Sequence, residues 1–481
     1  MSKTLKQFLI YDELKSIVGE GNLTDVDCDL DAYSVDVWWP SRMWADKGCK
    51  RPRPDVVVFP GSAQEVSEIL KFANRNGIPV VPSGAGAGGL GGVLALEGGI
   101  VIDMKRMNKI VNLDEVSYNV TAQAGIFQVD LETYLNDRGY TLNHFPASLY
   151  CSSLGGFLSC RGSGHFSSKY GKIEDMLLSL ETVLPTGEIV RSLPVPVHST
   201  GPSFEKLFLG AEGIYGVITE ATLKIKKLPE KMAFRALLFE SLHSALEAAR
   251  QIMVSGLKPA VVRIYDENDT KIMVKKVLGA DVDGGDYMIL GFEGFKEVVE
   301  AEEKVALRIC LENGARDLGE EPGWTWWNKR FNFYYPPYTL ESSRCLYGVL
   351  DSCALHKDLE NVYLGMKNAI ETEFKEWGVK YIAHFSHWYD WGGSVYPNFI
   401  IENPPEDPEE GFELNNRIWA TGMKAILENG GVLNEHHGIG IQLARFMRQQ
   451  YGDSFVVLDR LKNAFDPNGI LNIGKLGVTG K

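Results

Sequence analysis

Residues suited to chemistry concentrate in two short segments near the C-terminus, HFSHWYDWGGSVY (384–396) and EHHGIG (435–440). Four of the nine histidines, His384, His387, His436 and His437, lie in them. An imidazole titrates near ~6.5, which suits general acid–base work, and the adjoining glycines permit close approach of a ligand. A single histidine is commonly a hydrogen-bonding core residue, whereas two such clusters favour a reaction centre. A third feature is Arg330, inside the aromatic run GWTWWNKRFNFYYPPY. With a net charge of −14 on the chain, a cation among aromatics is the expected anchor for a carboxylate or phosphate. The same run also fits an apolar core with the arginine at its surface.

These residues need a scaffold, and the sequence offers one far upstream. Pro82 to Gly92, PSGAGAGGLGG, follows the apolar residues Ile78, Val80 and Val81 and holds six glycines in eleven residues. Such a turn allows φ > 0 and brings a run of backbone amides against a guest, usually a diphosphate. Read alone, it serves a tight chain reversal equally well. It is no P-loop, because no Gly-Lys-Ser/Thr follows, and no GxGxxG with a helix behind it is present. The stretch SLYCSSLGGFLSCRGSGHFSSKYG, from Ser148 to Gly171, is small and hydroxyl-rich. A loop of that length inside a compact domain is usually functional.

Length and composition set outer bounds. The 481 residues allow about two to four domains, and 44 % hydrophobic with 23 % charged residues is ordinary for a soluble globular chain. The negative balance excludes nucleic acid as a general partner. Seven scattered cysteines without a CxxC pair exclude a disulfide framework or iron–sulfur site and predict a cytoplasmic setting. The N-terminal MSKTLKQFLIYDELKSIVGE reads as a helix rather than a signal peptide. No apolar run of about eighteen residues predicts a membrane span.

Residues 1–50 read as a helical and aromatic entry. In 51–229, DVVVFP, IPVVPSG and GGIVIDM are strands, and AQEVSEILKFANRN is an amphipathic helix ending at Gly77. Strand, helix and strand in that order predict a parallel pair. IVNLDEVSYNVTAQAGI and LLSLETVLPTGEIVR are hairpins flanking the helix VDLETYLNDRGY, and GAEGIYGVITEATLKIK is a second glycine loop running into a strand. Residues 230–430 carry longer helices between strands, a second α+β domain, with ENPPEDPEEGFE as a solvated acidic loop. Residues 431–481 close the chain.

The strand–helix–strand leading into PSGAGAGG, together with SLGGFLSCRGSG, GAEGIYGVITEA and FDPNGILNIGKL, resembles the flavin-binding family of vanillyl-alcohol oxidase type. Nearest within it are the D-lactate, glycolate and 2-hydroxyglutarate dehydrogenases and the alkylglycerone-phosphate synthases. The resemblance implies an α+β fold, with a two-subdomain PCMH-type FAD-binding domain and an α+β cap built on an antiparallel sheet. It implies that Pro82, Ser83, Gly84, Ala85, Gly86, Ala87 and Gly88 cradle the FAD diphosphate. Ala147, Ser148, Ser152, Ser153 and Gly156 would pass along the flavin, followed by Cys160, Arg161, Gly162 and Ser163. Gly210, Glu212, Gly213 and Gly216, with Ile218, would support the adenine and ribose. No histidine stands between Pro82 and Gly92, so non-covalent FAD is expected.

In the hydroxyacid dehydrogenases the histidine segments read GHxGDGNxH and GEHGIG and bind a divalent metal. This chain keeps His387 and Asp390, but the second histidine is lost, with Ser394 or Tyr396 in its place, and His436 takes the glutamate position. Too few ligands remain, and no metal is expected. The same changes resemble the synthases, which carry a tyrosine at Tyr396 and histidines at His436 and His437. Tyr396 would then move a proton above the flavin, with His436 and His437 setting its state and Arg330 gripping the substrate's anionic group. The implied activity is oxidation of a small hydroxylated anion by hydride transfer to flavin N5, the alternative being a synthase-like transferase with no net redox. An electron-accepting partner, an electron-transfer flavoprotein or iron–sulfur subunit, is implied with the first. A homodimer is compatible with either.

Overall fold

A computed structural model describes residues 5–334 and 345–478. Tyr335, Pro336, Pro337 and Tyr338, the end of the aromatic run around Arg330, lie outside the described residues. The first apolar runs form a sheet in the order Leu23–Thr24, Val56–Val58, Ile100–Asp103, Val80–Ser83. Val56–Val58 and Val80–Ser83 each run parallel to Ile100–Asp103, so the third predicted strand is inserted between the first two. All four of its residues are buried, as suits the centre of a parallel sheet covered on both faces.

The connecting helix Ala63–Asn76 begins where Ser62 Oγ accepts from the Glu65 amide at 3.2 Å, and it ends at Gly77 with a φ of 60°. Its apolar face, Val66, Ile69, Leu70 and Ala73, packs with Val183 and Val217 of a second sheet. That sheet is antiparallel throughout and contains both predicted hairpins, Ile110–Asp114 with Asn119–Gln123 and Leu177–Val183 with Ile189–Arg191. Val217–Lys224, the strand after the second glycine loop, runs between them. The serine-rich stretch is not all loop, because Leu154–Cys160 is helical. Glycine lets that helix lie against the end of the strand Asn119–Gln123: a Cβ on Gly155 would come within 2.9 Å of Ala124 Cβ.

The second half is built on a nine-stranded antiparallel sheet. Its strands include Val261–Tyr265, Lys380–Phe385 and Gly392–Ile401, which carry Arg263, His384 and Tyr396. The acidic run ENPPEDPEEGFE is only partly loop. Asp407 Oδ1 accepts from the amides of Glu409 and Glu410 at 2.9 and 3.0 Å and so opens the helix Pro408–Glu428. An aspartate followed by proline and two glutamates is a helix start, and the net acidity of the run obscured it. The chain's end then returns to the first sheet. The Val80 amide donates to the Ile470 carbonyl and the Asn472 amide to the Val80 carbonyl, both at 2.8 Å.

Candidate active site

The glycine loop, the serine-rich stretch and both histidine segments line one cavity of about 430 Å³. The expected cofactor residues that line it are Pro82 to Gly88, Ala147, Ser148, Ser152, Ser153, Gly156, Cys160, Gly162, Ser163, Glu212, Gly213, Gly216 and Ile218. Arg330, His387, Tyr396, His436 and His437 line it too. Two predicted cofactor residues do not reach it. Arg161 ends the helix Leu154–Cys160 with a φ of 56°, which turns its exposed side chain outward to pair with Glu174. Gly210 lies under that side chain, where a Cβ would meet Arg161 Cδ at 2.7 Å.

The cradle fits a dinucleotide. A Cβ on Gly84 would sit 2.2 Å from Ser153 Oγ, while Cβ atoms on Gly86, Gly88 and Gly89 would meet nothing within 4 Å. Ser153 Oγ is itself buried without a hydrogen-bond partner among the described residues. Open space at three glycines and one spare hydroxyl thus border the cavity, room and a donor that suit an anionic diphosphate. The loop is anchored from the N-terminal entry, where the Gly91 amide donates to Asp36 Oδ2 at 2.9 Å. Burial raises that carboxyl to about 6.

Glu212 lines the cavity, but its carboxylate accepts from the amides of Ile439 and of Gly440, the latter at 2.8 Å. It therefore ties the second glycine loop to the histidine segment. Burial raises it to about 7. Gly440 completes the tie, since the Leu90 carbonyl in the first glycine loop accepts from the amides of Ile441 and Gln442. At Gly440, φ is 52° and a Cβ would lie 2.1 Å from the Leu90 carbonyl oxygen. Gly440→Ala is expected to cost at least about 1–2 kcal/mol in backbone strain alone. It should also push Leu90 off the cradle, so the purified variant should carry well under one flavin per chain by absorbance ratio. Full flavin occupancy would show that the two loops are not mechanically linked.

Along the same cavity, side chains form two hydrogen-bonded chains. In the first, Asp351 Oδ1 accepts from His437 Nδ1 at 2.7 Å, and His437 Nε2 faces the Tyr396 hydroxyl at 3.4 Å. Asp351 is held in turn by the Glu435 and His436 amides at 3.0 and 3.1 Å and by Asn434 Nδ2 at 2.6 Å. Burial opposes charge on His437, but the Asp351 carboxylate more than offsets it and raises the imidazole above its usual range. Burial also works against Asp351, which the His437 imidazolium nevertheless lowers to about 2. Burial, joined by the Asp351 charge, raises Tyr396, so its phenol stays protonated. The ring of Tyr396 is stacked on His384 at 4.3 Å.

The second chain centres on Glu435. Its Oε2 accepts from His387 Nδ1 at 3.0 Å and His436 Nδ1 at 2.5 Å. Its Oε1 receives Ser163 Oγ at 3.1 Å, the Tyr389 hydroxyl at 2.8 Å and Lys172 Nζ at 3.2 Å. Burial would raise Glu435, yet His387, Lys172 and His436 hold it well below the usual carboxylate range. His436 is pushed down to about 4 by burial and by the neighbouring His437. Neutral, and tethered at Nδ1, it offers Nε2 as a hydrogen-bond acceptor. Ligand atoms of His387, Glu435 and His436 lie within 4.8 Å of one another, as do those of Asp351, His436 and His437. Glu435 already takes five donors on about four lone-pair sites, and a cation bound among His387, Glu435 and His436 would have to replace the two imidazole hydrogen bonds to Oε2.

Asp351, Lys172 and Tyr389 escaped the sequence reading, as did Arg263, His165 and Asp269, which line the same cavity. Tyr389 lies inside the 384–396 segment and His165 inside Ser148 to Gly171, with Lys172 one residue beyond it, but an isolated lysine, tyrosine or histidine gives no local sign of its partner. Asp351 carried only one signal, an acid placed between two strands of the cap, Leu346–Val349 and Ser352–Leu355. Asp390, beside His387 in the chain, instead sits at the surface opposite Lys258 at 3.4 Å.

Comparison with known proteins bears on the family and the cofactor. A family model described as an FAD binding domain matches residues 54–192, and one described as FAD linked oxidases, C-terminal domain, matches residues 228–476. An alkyldihydroxyacetonephosphate synthase of Dictyostelium discoideum is 31 % identical over 452 residues, covering 88 % of this chain and 73 % of that protein. A D-lactate dehydrogenase of Anaerostipes hadrus is 29 % identical over 442 residues, covering 89 % and 90 %. Among solved structures, an alkyldihydroxyacetonephosphate synthase superposes with a TM-score of 0.80 at 28 % identity, over 98 % of this chain and 85 % of that one. The loops that form the cradle fall in the first matched region and the histidine segments in the second: the chain belongs to the FAD-linked oxidase family, and its cofactor is FAD.

Proposed function

We propose that this protein oxidises a small hydroxylated anion of the 2-hydroxyacid type. The observation that supports this reading most directly is the Asp351–His437–Tyr396 chain, which ends in the cavity shared by the cofactor cradle and Arg330. When bound, FAD supplies the hydride acceptor. Arg330 holds the substrate's anionic group, since its guanidinium lies on the Trp327 ring at 3.4 Å and faces the cavity. The Tyr396 hydroxyl accepts the substrate's hydroxyl proton as it passes its own to His437 Nε2. Asp351 keeps His437 in the tautomer with Nδ1–H toward the carboxylate and stabilises the imidazolium that forms. The sequence has no CxxC pair for a second redox centre, so an external acceptor, an electron-accepting protein, a quinone or oxygen, completes turnover.

Anaerobic mixing of the holoprotein with a panel of D-2-hydroxyacids tests the reading through bleaching of the visible flavin absorbance. Failure of every member to bleach it would reject the oxidoreductase. The alternative, a synthase-like transfer without net redox, draws support from the match to synthases and from Tyr396 and His436 at their positions. It predicts an adduct spectrum with an acyl-glycerone phosphate instead.

The pH dependence has a fixed sign. His437 receives the proton only when neutral, and Asp351 raises its pKa. The rate of flavin reduction is therefore expected to climb about tenfold per pH unit below that pKa and level off above it. Asp351→Asn removes the carboxylate charge, so the rising limb should move to lower pH while the plateau rate falls. A limb that stays in place would mean that His437 is not the group titrating.

A further inference from the structure

Two guanidinium groups, not one, face the cavity. Arg263 comes from the strand Val261–Tyr265. Its Nε donates to the Tyr265 hydroxyl at 2.8 Å, and that oxygen also accepts from Trp326 Nε1 at 2.7 Å. The fork is thereby fixed, and its terminal nitrogens make no hydrogen bond or ion pair with any described residue. Arg330 is in a similar position. It stacks on Trp327 and Phe331 at 3.4 and 4.3 Å and donates only to the Trp327 carbonyl. Its Nε is buried without a partner among the described residues. His165 stands near both, its ring packed on Trp326 at 5.6 Å and Phe331 at 5.7 Å and its Nδ1 also buried without a partner among the described residues. The charges of both arginines, after burial itself, hold its imidazole neutral.

Among the described residues no acid forms an ion pair with either cation, although the Arg263 charge is felt at Asp269. Glu435 is matched by Lys172 at 3.2 Å and Asp351 by His437 at 2.7 Å. Asp269 is the remaining candidate. Burial and the neighbouring Asp266 raise its pKa strongly, and it faces His384 Nδ1 at 3.5 Å without an ion pair to Arg263 among the described residues. Two half-buried guanidinium groups with unengaged donors face the same cavity, and planar forks of this kind suit bidentate oxyanions.

We propose that Arg263 and Arg330, with His165 between them, clamp two negative charges, so that the substrate is a hydroxylated dianion, a dicarboxylate or a phosphate monoester, rather than a simple monocarboxylate. This rests on the oxidoreductase reading for what happens to the hydroxyl, but the binding step is testable without turnover. Titrating the holoprotein with non-oxidisable anions at constant ionic strength, and following the flavin difference spectrum and the heat of binding, gives affinities directly. Succinate and inorganic phosphate are expected to bind about 10- to 100-fold more tightly than acetate or propionate, the worth of a further charged hydrogen-bonded contact. The tighter of the two identifies the tail chemistry. Arg263→Met should abolish the preference and Arg263→Lys should restore it in part. If Arg263→Met fails to fold, the wild-type ratio still decides. Equal affinity for monoanions and dianions, or a preference that survives Arg263→Met, overturns the clamp. Bleaching by D-lactate and D-malate with equal KM would discard the clamp and keep the oxidoreductase. Selective dianion binding with no bleaching by any hydroxyacid would do the reverse.

Discussion

Tyr396→Phe is expected to slow flavin reduction by substrate about 10²- to 10⁴-fold, the usual worth of a positioned proton-transfer group. The substitution removes one oxygen and little else. The ring keeps its stack on His384 at 4.3 Å and its edge contact with His437 at 5.2 Å. Asp351 and His437 also keep their 2.7 Å hydrogen bond. Flavin content, the resting spectrum and thermal stability should therefore match the wild type, and anion affinity should change little because Arg330 is untouched. Stopped-flow reduction under anaerobic conditions isolates the step from any electron acceptor. His437→Asn should give a loss of similar size and also abolish the rising pH limb, whereas Tyr396→Phe slows the reaction without moving that limb. If Tyr396→Phe reduces at the wild-type rate, the proton reaches His437 directly from substrate and Tyr396 is only a wall of the site.

The sequence exposed the cofactor half of the site more fully than the catalytic half, and the difference is physical. A backbone cradle must be made of consecutive small residues, so Pro82 to Gly92 is legible as a string. Helix Ala63–Asn76 announces itself by its cap, its periodicity and Gly77. A buried charge network has no such locality. Asp351 meets His437 across 86 positions and Lys172 meets Glu435 across 263, and neither residue differs locally from a surface acid or base. Arg161 and Gly210 show the converse error, in which a stretch of the right character contains residues whose side chains or positions point away from the cavity. Glu212 lies on the cavity as expected, but it spends its carboxylate on the amides of 439 and 440. The strand order of the first sheet was likewise out of reach, since adjacency in sequence suggested neighbours that Ile100–Asp103 separates.

Glu435→Ala should be the most damaging single substitution for stability, costing about 3–5 kcal/mol. Glu435 and Lys172 are both buried, and Lys172 Nζ has the Glu435 carboxylate at 3.2 Å and the Glu435 carbonyl as its contacts. Removing the carboxylate strands the ammonium in a low-dielectric interior and leaves Ser163, Tyr389, His387 and His436 without their shared acceptor. Glu435 is held well below its unfolded carboxyl range, so its stabilising contribution is complete above about pH 4.3 and fades as pH falls through the lower folded value. The Glu435→Ala defect should accordingly be full at neutral pH and shrink only in strong acid. Glu435→Leu combined with Lys172→Met removes both charges at once and should recover much of the thermal midpoint, because well-packed apolar replacements of a buried pair are often neutral. Activity should not return with it. His387 and His436 would have lost the carboxylate that fixes their Nδ1–H bonds, so flavin reduction should remain slow in a protein that folds. A double variant no more stable than Glu435→Ala would mean that the hydrogen bonds, rather than the ion pair, carry the stability. A double variant that both folds and reduces at the wild-type rate would remove Glu435 from the positioning of His436.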